Sequence, residues 1–219
     1  MAFPQILAIF LSSSGEMTSW CPNKEDLLHL QATCPNIKSL KLLMNDKDIY
    51  DLAKILEEDC IDFDIGQLEI HHINPDFVST GINRLCVTFA NSLVSLKLTI
   101  LDHLSWHSIQ IIGEYCHELK IFHLEVWNTI VSSREDETRL NNEKSFPKLE
   151  DFKLKCEDYT EPIPEFVIKY FLQSEHSNLN IVQICVHFSW LTDEVFPSLW
   201  SIGNLMKYDL FIQIRGGLI

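Results

Sequence analysis

Cys34-Pro35-Asn36-Ile37-Lys38-Ser39-Leu40-Lys41-Leu42 is the stretch that decides the fold, because its apolar pattern, Ile37-x-x-Leu40-x-Leu42, recurs along the whole chain. It returns at Ile6/Ile9/Leu11, Ile65/Leu68/Ile70, Leu93/Leu96/Leu98, Leu119/Phe122/Leu124, Leu149/Phe152/Leu154, Leu179/Val182/Ile184 and Leu205/Tyr208/Leu210. The starts of these triads lie 31, 28, 28, 26, 30, 30 and 26 residues apart. Self-similarity at so steady a period marks a chain built by stacking copies of one short unit.

Within each unit, alternate side chains of a strand face opposite ways, so the later apolar places of the triad point inward and the residues between them point to solvent. The chain then has to return to the start of the next strand, and helical spacing of apolar residues predicts how. Asp46-Lys47-Asp48 is expected to cap a helix running to Glu58. Similar returns are expected over 76–89, 105–115 and 163–172, with a shorter turn over 197–202. Strand, right-handed crossover, strand is the unit of a leucine-rich repeat. The expected fold is α/β: a right-handed leucine-rich-repeat solenoid or horseshoe of about eight repeats, with a parallel inner sheet and a helical outer side. It forms one domain over 1–219. The polar run 128–145 lacks apolar spacing and is expected to leave the solenoid as a mobile loop, with Ser132 and Ser133 upstream of Glu135-Asp136-Glu137 in a context suited to an acid-directed kinase.

The bulk numbers narrow the partner. A formal charge of −14 disfavours nucleic acid and anionic membrane, both of which need an excess of Lys and Arg, and favours a protein partner that is neutral or basic. Seven scattered cysteines, with no paired spacing and no N-x-S/T sequon, fit free thiols in a cytoplasmic or nuclear setting. No run of roughly 18 apolar residues is present to cross a bilayer. The apolar start, Ala2 to Leu11, followed by Ser12-Ser13-Ser14-Gly15, has some features of a signal peptide. However, Phe3 to Leu11 matches Phe146 to Leu154 in its pattern and reads better as a first repeat strand. Apolar stretches close to both ends lead to the expectation that the solenoid continues in a longer protein or associates end to end.

Cys34-Pro35-Asn36-Ile37 and Cys116-His117-Glu118-Leu119 place a cysteine three residues ahead of the triad, where a small buried hydrophobe fits. In this the chain resembles the cysteine-containing repeats of F-box/LRR proteins. That resemblance implies substrate-recognition repeats of a Skp-cullin ubiquitin-ligase receptor, with a Skp-type adaptor as a further partner if an F-box lies upstream. The expected Asn or Cys three residues after the triad is met at Asn45, while the slot elsewhere holds Ser14, Ile73, Leu101, Trp127, Glu157, His187 and Gln213. The alternative reading is a ribonuclease-inhibitor-like or sensor-type regulatory domain that masks or autoinhibits a partner.

No residue set points to catalysis or to a cofactor. The acidic run 57–64 places Gly66 wrongly for a calcium loop and lacks the distal Glu. His71/His72 and His103/His107 lack further ligands at metal spacing. Cys185 and His187 alternate on one strand without an orienting third group. The five tryptophans are expected to pack rather than to form a stacking platform. The central solvent-facing positions of the strands run Phe10, Lys41, Glu69, Lys97, His123, Lys153, Gln183 and Asp209, and the candidate partner-binding residues are the six from Lys41 to Gln183. Lys41, Lys97, His123 and Lys153 are the expected anchors for acidic groups.

Overall fold

A computed structural model describes residues 8–12, 22–59, 61, 63–72, 80–101, 104–127, 130–131, 146–156, 179–187 and 209–215. The chain is α/β. Its main sheet has eight strands: β1 (Ala8–Ser12), β2 (Ser39–Met44), β3 (Gln67–His72), β4 (Ser95–Ile100), β6 (Ile121–Val126), β8 (Asp151–Cys156), β9 (Ile181–His187) and β10 (Asp209–Arg215). All are parallel and paired in chain order. Two short strands, β5 (Leu104–Ser105) and β7 (Ile130–Val131), form a separate parallel ladder. The described helices are α1 (Lys24–Thr33), α2 (Asp46–Glu58), α3 (Thr80–Thr88) and α4 (Trp106–Tyr115).

The register follows the triads. Leu40, Leu68, Leu96, Phe122, Phe152 and Val182 are successive cross-strand neighbours, and so are Leu42, Ile70, Leu98, Leu124, Leu154 and Ile184. All twelve are buried in one apolar cluster. Full burial of each such side chain stabilises by roughly 1.5–3 kcal/mol. The entry to each strand is repeated as well. Lys38 O accepts from the N–H groups of Gly66 and Gln67, and Gly66 O from Val94 and Ser95. Val94 O, Lys120 O and Glu150 O do the same for the strands that follow.

The helices begin where local chemistry caps them. Asn45, not the expected Asp46-Lys47-Asp48, is the N-cap of α2, its side chain accepting from Asp48 N at 2.9 Å. This frees Asp46 for another use: its buried carboxylate accepts from the backbone N–H of Gly81, at 3.1 and 3.3 Å, and so ties the start of α3 to the start of α2. Burial pushes the Asp46 carboxyl above its ordinary value, partly offset by the N–H groups of Gly81 and Ile82. Helix α1 was not expected from apolar spacing; a capping box formed by Asn23 and Asp26 starts it. The α3 and α4 returns match expectation at their described ends, while 163–172 and 197–202 lie outside the described residues.

Two readings need correction. β10 pairs Leu210 with Val182 and Ile212 with Ile184, so the last two places of the final triad fall on Leu210 and Ile212 and not on Tyr208 and Leu210. The central place on that strand belongs to Phe211, paired with Gln183, and not to Asp209. Within the polar run 128–145, Ile130 and Val131 form β7, and Ile130 is buried. Residues 128–129 and 132–145, including Ser132 and Ser133, lie outside the described residues.

Candidate functional site: the open face of the sheet

Strands in an all-parallel sheet are ordinarily covered on both faces. Here the strands alternate instead: β2, β6 and β8 each run from half-buried to buried in strict alternation, with the buried side chains joined in the apolar core. The opposite face carries mostly polar and charged side chains, with Leu43, Ile121, Ile181 and Cys185 among them, and among the described residues no helix packs on it. The alternation that sets this face is a property of the triad, since the residues between Leu40 and Leu42 or between Phe122 and Leu124 must point away from the core.

The six candidate residues form one row. Lys41, Glu69, Lys97, His123, Lys153 and Gln183 are paired strand to strand in that order. At about 4.8 Å per parallel strand the row spans roughly 24 Å.

Their electrostatics differ from the expected set of four anchors. Lys41 donates to Glu69 at 2.5 Å, and His71 lies 2.7 Å from the same carboxylate oxygen. Burial of Glu69 works against ionisation, yet the hydrogen bonds and charges of Lys41 and His71 outweigh it and hold the carboxyl below its ordinary value. His123 lies 3.2 Å from Asp151 Oδ2, and Lys155 donates to Glu125 at 2.6 Å. At the rim, Lys120 pairs with Glu150 at 2.9 Å, which raises the lysine pKa, and Lys148 reaches Glu118 at 2.6 Å. Lys38 pairs with Asp64. Lys97 and Lys153 have no ion-pair partner among the described residues. Lys41 and His123 are therefore already engaged, and among the described residues the free positive charge at the central row sits on Lys97 and Lys153.

These pairs were readable but were missed: Lys41 and Glu69, Lys155 and Glu125, and Lys120 and Glu150 are each separated by one repeat length, 28 to 30 residues. Trp127 was also missed. It was expected to pack like Trp106, which is fully buried, but it is 49% exposed just after β6, with its backbone N–H donating to Ile100 O. Leu101, at the end of β4, is exposed too.

The other candidate chemistry disperses. In the acidic run, Glu57 binds Arg84 and Thr88, Asp59 binds Lys24 and Asp64 binds Lys38, so these carboxylates face different partners. Among the described residues no group of His, Cys, Asp and Glu could hold a metal. Cys185 is buried, and the side chain of His187 lies outside the described ones. An apolar void of about 20 Å³ under α1, lined in part by Leu27, Leu30, Leu40 and Leu52, is far below the several hundred Å³ of a ligand pocket. Among the described residues no helix is long and apolar enough to cross a membrane. No protein-family model matches the chain, and no curated protein matches it.

Proposed function

We propose that the chain is a leucine-rich-repeat solenoid of about eight repeats acting as a non-enzymatic scaffold, and that the open face of its parallel sheet recognises a protein. The observation that carries this reading is the uncovered face itself: among the described residues the parallel sheet carries no helix on the side that bears Lys41, Glu69, Lys97, His123, Lys153 and Gln183 in register, an arrangement that suits a broad contact. A row of roughly 24 Å matches an extended segment of about seven residues, at 3.3–3.4 Å each. The repeated strand-entry hydrogen bonds and the buried Cys116, whose Sγ lies 3.5 Å from Cys86 O, support the cysteine-containing repeat type. On that basis the cellular use proposed is substrate recognition in an F-box/LRR-type ubiquitin-ligase receptor.

The test is proximity labelling in cells with the intact chain and with variants that add bulk and charge on the open face without touching the core, Ser39→Arg and Gln67→Arg. Lys47→Glu, on the exposed side of α2, is the control. The open-face variants should lose a defined set of partners that the control retains. Unchanged partner sets in both open-face variants would refute the reading.

A further inference from the structure

We propose that Lys97 and Lys153 together hold one carboxylate of an acidic, extended segment of the protein partner, laid across β6 above His123. This rests on the reading of the open face as an interaction surface and names the chemistry that surface selects.

On the six strands from β2 to β9 (β5 and β7 excluded), the solvent-facing third, fifth and seventh places of each repeat hold four lysines, at 41, 97, 153 and 155, against three carboxylates, at 69, 125 and 151. Every one of the three carboxylates is occupied, Glu69 by Lys41 and His71, Glu125 by Lys155, and Asp151 by His123. Lys97 lies directly opposite Glu69 in register, yet the Glu69 oxygen that bonds does so with Lys41 and His71. Two ammonium groups are left over. Lys97 and Lys153 flank His123 on the adjacent strands, so their Cα atoms are about 9.6 Å apart, two strand spacings. The flexible lysine stems can converge on one group midway.

The rest of the row fits an extended chain. Gln183, one strand beyond Lys153, supplies both an amide donor and an acceptor for a peptide backbone. A carboxylate suits the site better than a phosphate because Glu125 and Asp151 stand beside His123, and their charges oppose a second negative charge at the same place. The net excess on these positions is one positive charge, the charge of a single carboxylate.

The test uses the intact chain and three fluorescein-labelled Gly/Ser decapeptides carrying a central Glu-Glu, Gln-Gln or phosphoserine pair, titrated by fluorescence anisotropy. The Glu peptide should bind, and the Gln peptide should not. K97Q and K153Q should each weaken the Glu peptide about 3- to 5-fold and together at least about tenfold, the range expected of exposed ion pairs. Lys47→Gln, which makes the same change in net charge on α2, should leave binding unaltered. Equal effects of K97Q, K153Q and Lys47→Gln would overturn the proposal, as would binding of the phosphoserine peptide alone. In cells, loss of partners with Ser39→Arg and Gln67→Arg but not with K97Q/K153Q would remove the clamp and leave the interaction surface standing. No loss with any of them would remove the surface itself.

Discussion

Replacing Gly81 with alanine should force α2 and α3 apart. A Cβ at position 81 would press into the Asp46 carbonyl oxygen and would lie 2.8 Å from Tyr50 N and 3.1 Å from Asp46 Oδ1. Two of these three atoms are α2 backbone, which cannot swing away. Ordinary contact begins near 3.4 Å, so the start of α3 must retreat by roughly half an ångström or more. Overpacking of this kind costs about 1–3 kcal/mol. The retreat also stretches the Gly81 N–H bond to the buried Asp46 carboxylate, a loss of about 1–2 kcal/mol, against which the better helix propensity of alanine returns at most about 1 kcal/mol. The net expectation is about 2–3 kcal/mol, or a fall in Tm of about 4–12 °C for a chain of this size. The control is Gly66→Ala, whose Cβ would meet only ordinary contacts at 3.7 and 3.9 Å and should change stability by no more than about 0.5 kcal/mol. Urea unfolding followed by circular dichroism gives both values. A Gly81→Ala midpoint equal to that of Gly66→Ala would refute the close packing of these helix starts.

Phe146 is buried, stacks on Phe122 with ring centroids 5.5 Å apart and has φ 55°, a backbone region that favours glycine. Phe146→Ala and Phe146→Gly should both be destabilising, but the glycine variant should be the more stable of the two by about 1 kcal/mol, a reversal of the usual order that parallel denaturant melts will show. Arg84 holds the Glu57 carboxyl below its ordinary value, so the stability this contributes is present above the unfolded pKa and is lost as pH falls through the folded one. The stability gap between wild type and Arg84→Gln should therefore shrink in acid, measured from melts at pH 7 down to pH 3. Asp46 has the opposite sign: its folded pKa is raised, so the wild type loses stability as pH rises from the unfolded value through the folded one. Asp46→Asn should gain on the wild type across that window in the same melts. Burial pushes the Cys116 thiol up to about 12 and raises that of Cys86. At pH 8 iodoacetamide should therefore modify half-buried Cys34 well before either, as read by peptide mass spectrometry.

The strand ladder was legible because the triad places apolar groups on one face at fixed intervals, and burial enforces that face on the strands from β2 to β9 of the main sheet. The slip on the last strand shows the limit of this signal. Leu205-x-x-Tyr208-x-Leu210 and Lys207-x-x-Leu210-x-Ile212 both satisfy it in its last two places, and a shift of two residues keeps the same face, so alternation alone cannot separate them. Helix α1 escaped notice because only Leu27 is buried on it, which leaves its cap, Asn23 with Asp26, as the informative feature. The row of candidate residues followed directly from the period, and each of the six stands in register. Which of them are free did not follow, because Glu69 could have paired with Lys41 or Lys97, opposite it on either side, and the choice depends on side-chain geometry that the spacing of residues does not encode. The cap at Asn45 rather than Asp46 is similar: both are good capping residues, and the demand of α3 for an acceptor decides between them.

Contacts between side-chain methyls along the core columns test the in-register parallel ladder most directly. In a sample with labelled Ile, Leu and Val methyls, nuclear Overhauser spectra should connect Leu40 to Leu68 and Leu68 to Leu96, and should run unbroken from Leu42 through Ile70, Leu98, Leu124 and Leu154 to Ile184. Connections that skip a strand, or that join residues offset from these registers, would contradict the stacked arrangement and with it the open face on which the proposed recognition depends.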